Sequence, residues 1–191
     1  MPTASPLTAA RPVNAPPPAL PAAPLDQLAL DLAGIFANSA RMVASQIASH
    51  LTDTDTLLAA LPPGALLGSP ETYTRHLVYG DPMERFSAMV LVWRPGQASP
   101  VHGHRTWCAY RVLRGTLTER HYQWDAASRH ARHTNTVMRT AGDTFSVPSG
   151  LQHIHALGNT SDDIAVSLHL YGVSRDHIAT GVNLLVPTAD V

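Results

Sequence analysis

An all-β barrel or sandwich carrying an N-terminal helical cap is the fold class that this sequence predicts. Two observations carry the prediction. From Leu25 to about residue 62, apolar residues recur at helical spacing. After Pro70 the pattern changes to short runs rich in β-branched and aromatic residues, many of them separated by Gly, Pro, Asn or Asp. Many short strands at regular spacing imply an all-β sandwich or barrel.

The elements follow in order. Residues 1–24 are rich in Pro and Ala ("ARPVNAPPPALPAAP") and read as a flexible or polyproline-like arm. Leu28, Leu32, Ile35 and Phe36 fall on one helical face, and Val43, Ile47 and Leu51 form a second ladder. A short third helix is expected over Asp53 to Leu61, capped by Thr52 or Asp53 and stopped before Pro62-Pro63. Strands are expected in "TYTRHLVY", "RFSAMVLVW", "WCAYRVLR", "TLTERHYQW", "NTVMRT", "DTFSVPS", "HIHALGN" and "IAVSLHLYGV". The helices (25–62) should pack on a barrel of about residues 70–175, making residues 25–191 one domain.

Composition narrows the function. The chain has 191 residues, 45% hydrophobic and 14% charged, with a net charge of −1. That leaves no electrostatic footprint for nucleic acid or an anionic membrane. One cysteine rules out an internal disulfide framework, so a reducing, cytoplasmic setting is expected. No apolar run has the length of a membrane span, and no secretory signal is expected. Eleven histidines is a high count for this length, so their placement matters.

His102 and His104 are i and i+2, which puts both imidazoles on one face of a strand. Their surroundings sharpen the signal. Gly96, His102, His104 and Gly115 match the spacing of the first cupin motif, with Cys108 where that motif has its Glu ligand. Gly142, Pro148 and Gly150 match the opening of the second. Counting from Gly150 points to His153 as the motif histidine, and counting back from Asn159 points to His155. The two half-motifs predict a cupin double-stranded β-helix, a jelly-roll barrel. Three imidazoles without a carboxylate suit Fe, Zn, Cu or Ni. The open face resembles that of oxygen-activating iron sites.

"SLHLYG" places Ser167, His169 and Tyr171 on one face of a strand and Leu168 and Leu170 on the other. With "YTRHLV", "SPVHGH", Cys108 seven residues before Gly115, and "GLQHIHALGN", the chain resembles the thiol dioxygenases of the cysteine dioxygenase family over about residues 70–175. The resemblance implies a non-haem Fe(II) enzyme that adds both atoms of O2 to a thiolate and releases a sulfinate. It implies His102, His104 and His155 as ligands, and Ser167, His169 and Tyr171 as an outer relay. Arg75, with Tyr73 beside it, would clamp the substrate carboxylate. Cys108 aligns with the cysteine that forms a thioether to the active-site tyrosine, here Tyr171. The partners implied are a small thiol carboxylate, foremost L-cysteine, and O2, in a monomer or weak homo-oligomer.

The sequence also departs from the family. It reads "HGH" where many members have "HDH", with little consequence expected. "DPMERFSAMVLVWRPGQASPVHGH" and "TWCAYRVLRG" look more like bacterial 3-mercaptopropionate dioxygenases, which typically carry Gln and Gly where Arg75 and Cys108 stand. Oxidation of 3-mercaptopropionate or mercaptosuccinate is therefore the alternative within the enzyme class. Outside it stand a metal-binding cupin sensor and a zinc isomerase or hydrolase.

Overall fold

The computed structural model describes residues 22–50 and 54–188. The expected arm up to residue 21, Leu51 and the expected cap at Thr52 or Asp53 lie outside the described residues. The chain divides into two units, residues 1–34 and 35–191. Every described residue of the first unit, from 22 to 34, is helical.

The two expected ladders belong to one helix, α1 (Ala22–His50). The only proline in that segment, Pro24, stands in its first turn, and Gly34 is its only glycine, so nothing in its interior stops a helix. The short helix α2 (Thr54–Ala59) follows. In the second unit α1 enters the core through Ala40 and Ala44, one turn apart, while Ile35 and Phe36 stay exposed. Leu57, Leu58 and Leu61 join the same cluster. Among the described residues no helix is long and apolar enough to cross a membrane.

Among the described residues, ten strands form two antiparallel sheets. In chain order they are β1 (Thr74–Gly80), β2 (Ser87–Trp93), β3 (His102–His104), β4 (Cys108–Arg114) and β5 (Thr116–Asp125). β6 (His130–Thr140), β7 (Thr144–Val147), β8 (Gly150–Gly158), β9 (Ala165–Tyr171) and β10 (Asn183–Leu185) complete the set. One sheet runs β1-β2-β9-β4-β7 and the other β10-β3-β8-β5-β6. A late strand lies inside each sheet: β9 between β2 and β4, and β8 between β3 and β5. That interleaving is the jelly-roll arrangement of a cupin. The two sheets are separate hydrogen-bonded units, so the expected barrel is an open jelly roll and not a closed cylinder. β3 and β10, three residues each, are too short for periodicity to reveal, and they pair with each other.

The first sheet is covered on both faces, and the period of two sorts its side chains. Ala88, Val90 and Val92 of β2 and Val166, Leu168 and Leu170 of β9 join the cluster that contains Ala40 and Ala44. Met89, Leu91, Trp93 and Ala165 belong to a second cluster, with Leu117 and Leu157 of the other sheet. Ser167, His169 and Tyr171 therefore project inward, as their spacing predicts. Gly115 makes the turn from β4 to β5 at φ 74°, and a Cβ there would lie 3.0 Å from the Ala165 Cα. Asn159 is a buried clasp after β8. Its Nδ2 donates to the Trp93 carbonyl (2.9 Å) and the Asp163 carbonyl (2.7 Å), and its Oδ1 accepts from Ser161.

Leu168→Ala removes a buried side chain from the outer cluster. It should destabilise the protein by about 2–5 kcal/mol in chemical denaturation. A loss below about 1 kcal/mol would show that this outer face is not a packed core.

Candidate metal centre and active site

β3 supplies His102 and His104, and β8 supplies His155, which stands opposite His102 in the ladder. The three rings converge with centroids 4.8–5.1 Å apart. One nitrogen from each lies within 4.8 Å of the others, and all three residues are buried. Burial, followed by the proximity of His155, pushes the His102 pKa down to about 4 and holds His104 well below its ordinary value. At neutral pH both are therefore neutral imidazoles, the form that binds a metal.

Second contacts decide which nitrogen of each ring faces inward. His102 Nδ1 donates to the Pro100 carbonyl at 2.8 Å, which leaves Nε2 free as a donor atom. His155 Nδ1 meets Glu119 Oε1 at 2.7 Å, which does the same. His104 Nδ1 is buried with no hydrogen-bond partner. A buried nitrogen with no protein partner is costly unless something else meets it. The uncharged donor set, its convergence and this orphaned atom fit a divalent metal bound by nitrogen, with positions left open.

The register explains why His155 is in the cluster and His153 is not. Along β3 the partners jump from His155, opposite His102, to Gly150, opposite His104. The segment between them bulges, so the i, i+2 relation does not carry His153 into the ladder. His153 is exposed, with its ring edge-on to Phe145. The bulge also gives the glycine of "HGH" a steric role. A Cβ on Gly103 would lie 2.6 Å from the Gly150 carbonyl oxygen, so an Asp in its place would force a backbone shift.

The remaining expected residues gather around the same cavity. About 30 Å³ of open space remains at its centre. Ser167 Oγ lies 2.9 Å from His169 Nε2, and His169 Nδ1 lies 3.2 Å from the Tyr171 hydroxyl. The Trp93 indole can only donate, and it donates to Ser167 Oγ at 2.9 Å. Ser167 and Tyr171 can each donate or accept toward His169, so the direction of the chain follows from which ring nitrogen of His169 carries the proton. Burial pulls the His169 pKa down to about 3 and raises that of Tyr171, so both stay neutral.

Cys108 stands directly opposite Tyr171 in the β4–β9 ladder. Burial, then the charge of Glu119, pushes its thiol pKa up, so Cys108 is a protonated thiol. The three-residue cluster that can hold a metal does not include it. Arg75 lines the cavity from β1 but is otherwise exposed. No described carboxylate is paired with it. Tyr73 stacks on Trp93 with centroids 4.3 Å apart.

Glu119 escaped the reading of the sequence. Its side chain is fully buried. Besides His155, it accepts hydrogen bonds from the Tyr110 hydroxyl (2.9 Å) and Arg139 Nε (2.7 Å) through Oε2. His121 Nε2 lies 3.1 Å from Oε2 but is not aligned to hydrogen-bond. Burial works against ionisation of Glu119; the hydrogen bond and charge of His155, with His121 and Arg139, outweigh it and hold the pKa well below the usual range. A signal was available: Leu117, Glu119 and His121 alternate along one strand, so an inward Leu117 implies an inward Glu119.

The jelly roll, with three buried histidines at its centre, defines a metal-binding cupin. The sequence model of the family described as cysteine dioxygenase type I matches residues 64–179. This chain belongs to that family, which makes it a dioxygenase-type cupin with a small-molecule substrate and O2. Some solved structures are also similar to parts of the chain. One is TT1209 from Thermus thermophilus, at 22% identity over 64% of this chain and 96% of that one, with a TM-score of 0.46. Another is a Klebsiella pneumoniae protein with a double-stranded β-helix domain, at 16% identity over 73% and 98% of the two chains, with a TM-score of 0.47. A cupin 2 conserved barrel protein from Salinispora arenicola gives 19% identity over 52% and 74%, with a TM-score of 0.41.

Replacing His102, His104 or His155 with Ala should each abolish tight metal binding in equilibrium titration, whereas His153→Ala should retain it. Retention in His155→Ala with loss in His153→Ala would overturn the ligand set.

Proposed function

We propose that the protein is an Fe(II) thiol dioxygenase. It oxidises the thiol of a small carboxylated substrate, L-cysteine foremost, to a sulfinate, with both atoms of O2 ending on sulfur. One observation carries this reading: three imidazoles, the Tyr171 phenol and the Arg75 guanidinium share one cavity. Fe(II) held by His102, His104 and His155 would supply open coordination positions and the electrons for oxygen chemistry.

The chain's own residues account for the rest. An uncharged ligand set favours an anionic thiolate at the centre. Arg75 pairs with the substrate carboxylate and fixes its far end, so that the sulfur lies against the histidines. Tyr171, held through His169 and Ser167, donates a hydrogen bond into the cavity beside the reacting sulfur. Met89, Leu91 and Leu157 form an apolar wall that limits water and strengthens these polar contacts. Arg75 recognises a carboxylate and is blind to the amine that distinguishes cysteine from 3-mercaptopropionate. Oxygen uptake by the Fe(II)-loaded protein against cysteine, 3-mercaptopropionate, mercaptosuccinate and cysteamine tests both the reaction and the substrate. No uptake with any thiol, with iron bound, would overturn the proposal.

Arg75→Ala should lower kcat/KM for the carboxylated thiol roughly 30-fold, about 2 kcal/mol, through loss of a charge-assisted pair. Any turnover of cysteamine should be nearly unaffected. Equal losses on both would remove Arg75 from carboxylate recognition.

The coupling of Cys108 to Tyr171 is part of the same proposal, supported by their opposite positions in the β4–β9 ladder. Oxidation by O2 would join Cys108 Sγ to the ring carbon beside the phenol oxygen and remove two hydrogens with two electrons. After aerobic turnover the intact mass should fall by two hydrogens, and the loss should vanish in Cys108→Ser and Tyr171→Phe. An unchanged mass, with Cys108 fully reactive after denaturation, would exclude the bond.

A further inference from the structure

We infer that Glu119 is a positioning residue that aims the third metal ligand and braces the relay histidine from the same carboxylate. The inference concerns the metal site, which the proposed reaction shares, but it does not require that reaction to occur. Glu119 occupies an inward position of β5, next to β8, and its side chain is fully buried. Its two oxygens do different things. Oε1 accepts a hydrogen bond from His155 Nδ1–H at 2.7 Å, which fixes the tautomer and turns Nε2 toward His102 and His104. Oε2 is held by Arg139 Nε and Nη2, both at 2.7 Å, and by the Tyr110 hydroxyl at 2.9 Å.

A carboxylate gripped on one oxygen by a guanidinium and a phenol cannot rotate, so its other oxygen is a fixed acceptor. Arg139 is itself held in place, with its guanidinium 4.7 Å over the Phe145 ring. Tyr110 carries the effect across to the other sheet. Its ring stacks on His169 with centroids 5.2 Å apart and planes 16° apart. The hydroxyl that binds Glu119 therefore also fixes the plate against which the relay histidine lies. A purely structural ion pair would need neither the His155 contact nor the Tyr110 bridge. A carboxylate behind a ligating imidazole sets the ring's orientation and raises its basicity, and losing such a partner typically weakens metal binding by roughly 10–100-fold.

The test uses the full-length protein with Zn(II), a diamagnetic divalent ion, and Glu119→Gln. The variant keeps an acceptor but loses the charge. Competition with a chelator should show Zn(II) affinity lowered roughly 10–100-fold. In the Fe-loaded protein the Fe(III)/Fe(II) potential should move upward, because a negative charge behind the ligand has been removed. Unchanged metal affinity and potential, with only a lower melting temperature, would reduce Glu119 to a structural ion pair. If the variant does not fold, the wild-type protein still decides the matter. With Zn(II) bound, nitrogen-15 spectra of labelled histidine should show His155 protonated at Nδ1 and bound to metal through Nε2. Metal on Nδ1 of His155 would overturn the inference. Because no arm depends on thiol turnover, failure of this inference and failure of the dioxygenase reading can be told apart.

Discussion

The first sheet is buried on both faces, and this decides where polar side chains can stand. Along β9 every second residue is a Val or Leu that meets α1 and α2, so the alternate residues must face the second sheet. Those alternate residues are Ser167, His169 and Tyr171. None of them can reach water freely, so each must find a partner inside the protein or in the cavity. β2 and β4 follow the same division and bring Trp93 and Tyr110 to the inner side.

The polar interior is consequently a connected set. Trp93, Ser167, His169 and Tyr171 form one line of hydrogen bonds; Arg139, Tyr110, Glu119 and His155 form another. The two lines touch where Tyr110 stacks on His169. Such networks hold a single arrangement only when nearly every member is satisfied. Among the groups without a protein partner, the buried His104 Nδ1 and the Arg75 guanidinium belong to residues of the central cavity, while Arg111 Nε and His121 Nε2 lie elsewhere.

Burial also settles protonation without any change of residue type. Desolvation keeps His102, His104 and His169 neutral and keeps Cys108 and Tyr171 protonated. Glu119 is held ionised, because the hydrogen bond from His155 and the charge of Arg139 outweigh the cost of its burial. One anion sits behind a neutral ligand set, and the cavity itself is left without a built-in negative charge. An anionic thiolate would meet no repulsion there from a ligating carboxylate such as cupins with Glu in place of Cys108 possess.

How much of this was legible in the chain follows from distance along it. The half-motifs around His102 and His104 and around Pro148 and Gly150 are local, and local spacing was enough for the jelly roll, for two of the three clustered histidines and for the face shared by Ser167, His169 and Tyr171. A strand's period of two needs no knowledge of its neighbours. The helical segment was legible as helix but not as packing: its large apolar residues Ile35 and Phe36 are exposed, and it docks through Ala40 and Ala44, which carry little signal of their own. The choice between His153 and His155 needed the β3–β8 register, which a bulge shifts by more than any period predicts. Glu119 looked like one charge in a polar strand until Arg139, 20 residues later, and His155, 36 residues later, were brought to it. The fold class and the types of side chain at the site rest on short-range patterns, and the chain's order of residues was enough to establish them. Which histidine completes the cluster and which carboxylate meets it were decided only on folding, because these depend on strand pairings made between distant parts of the chain.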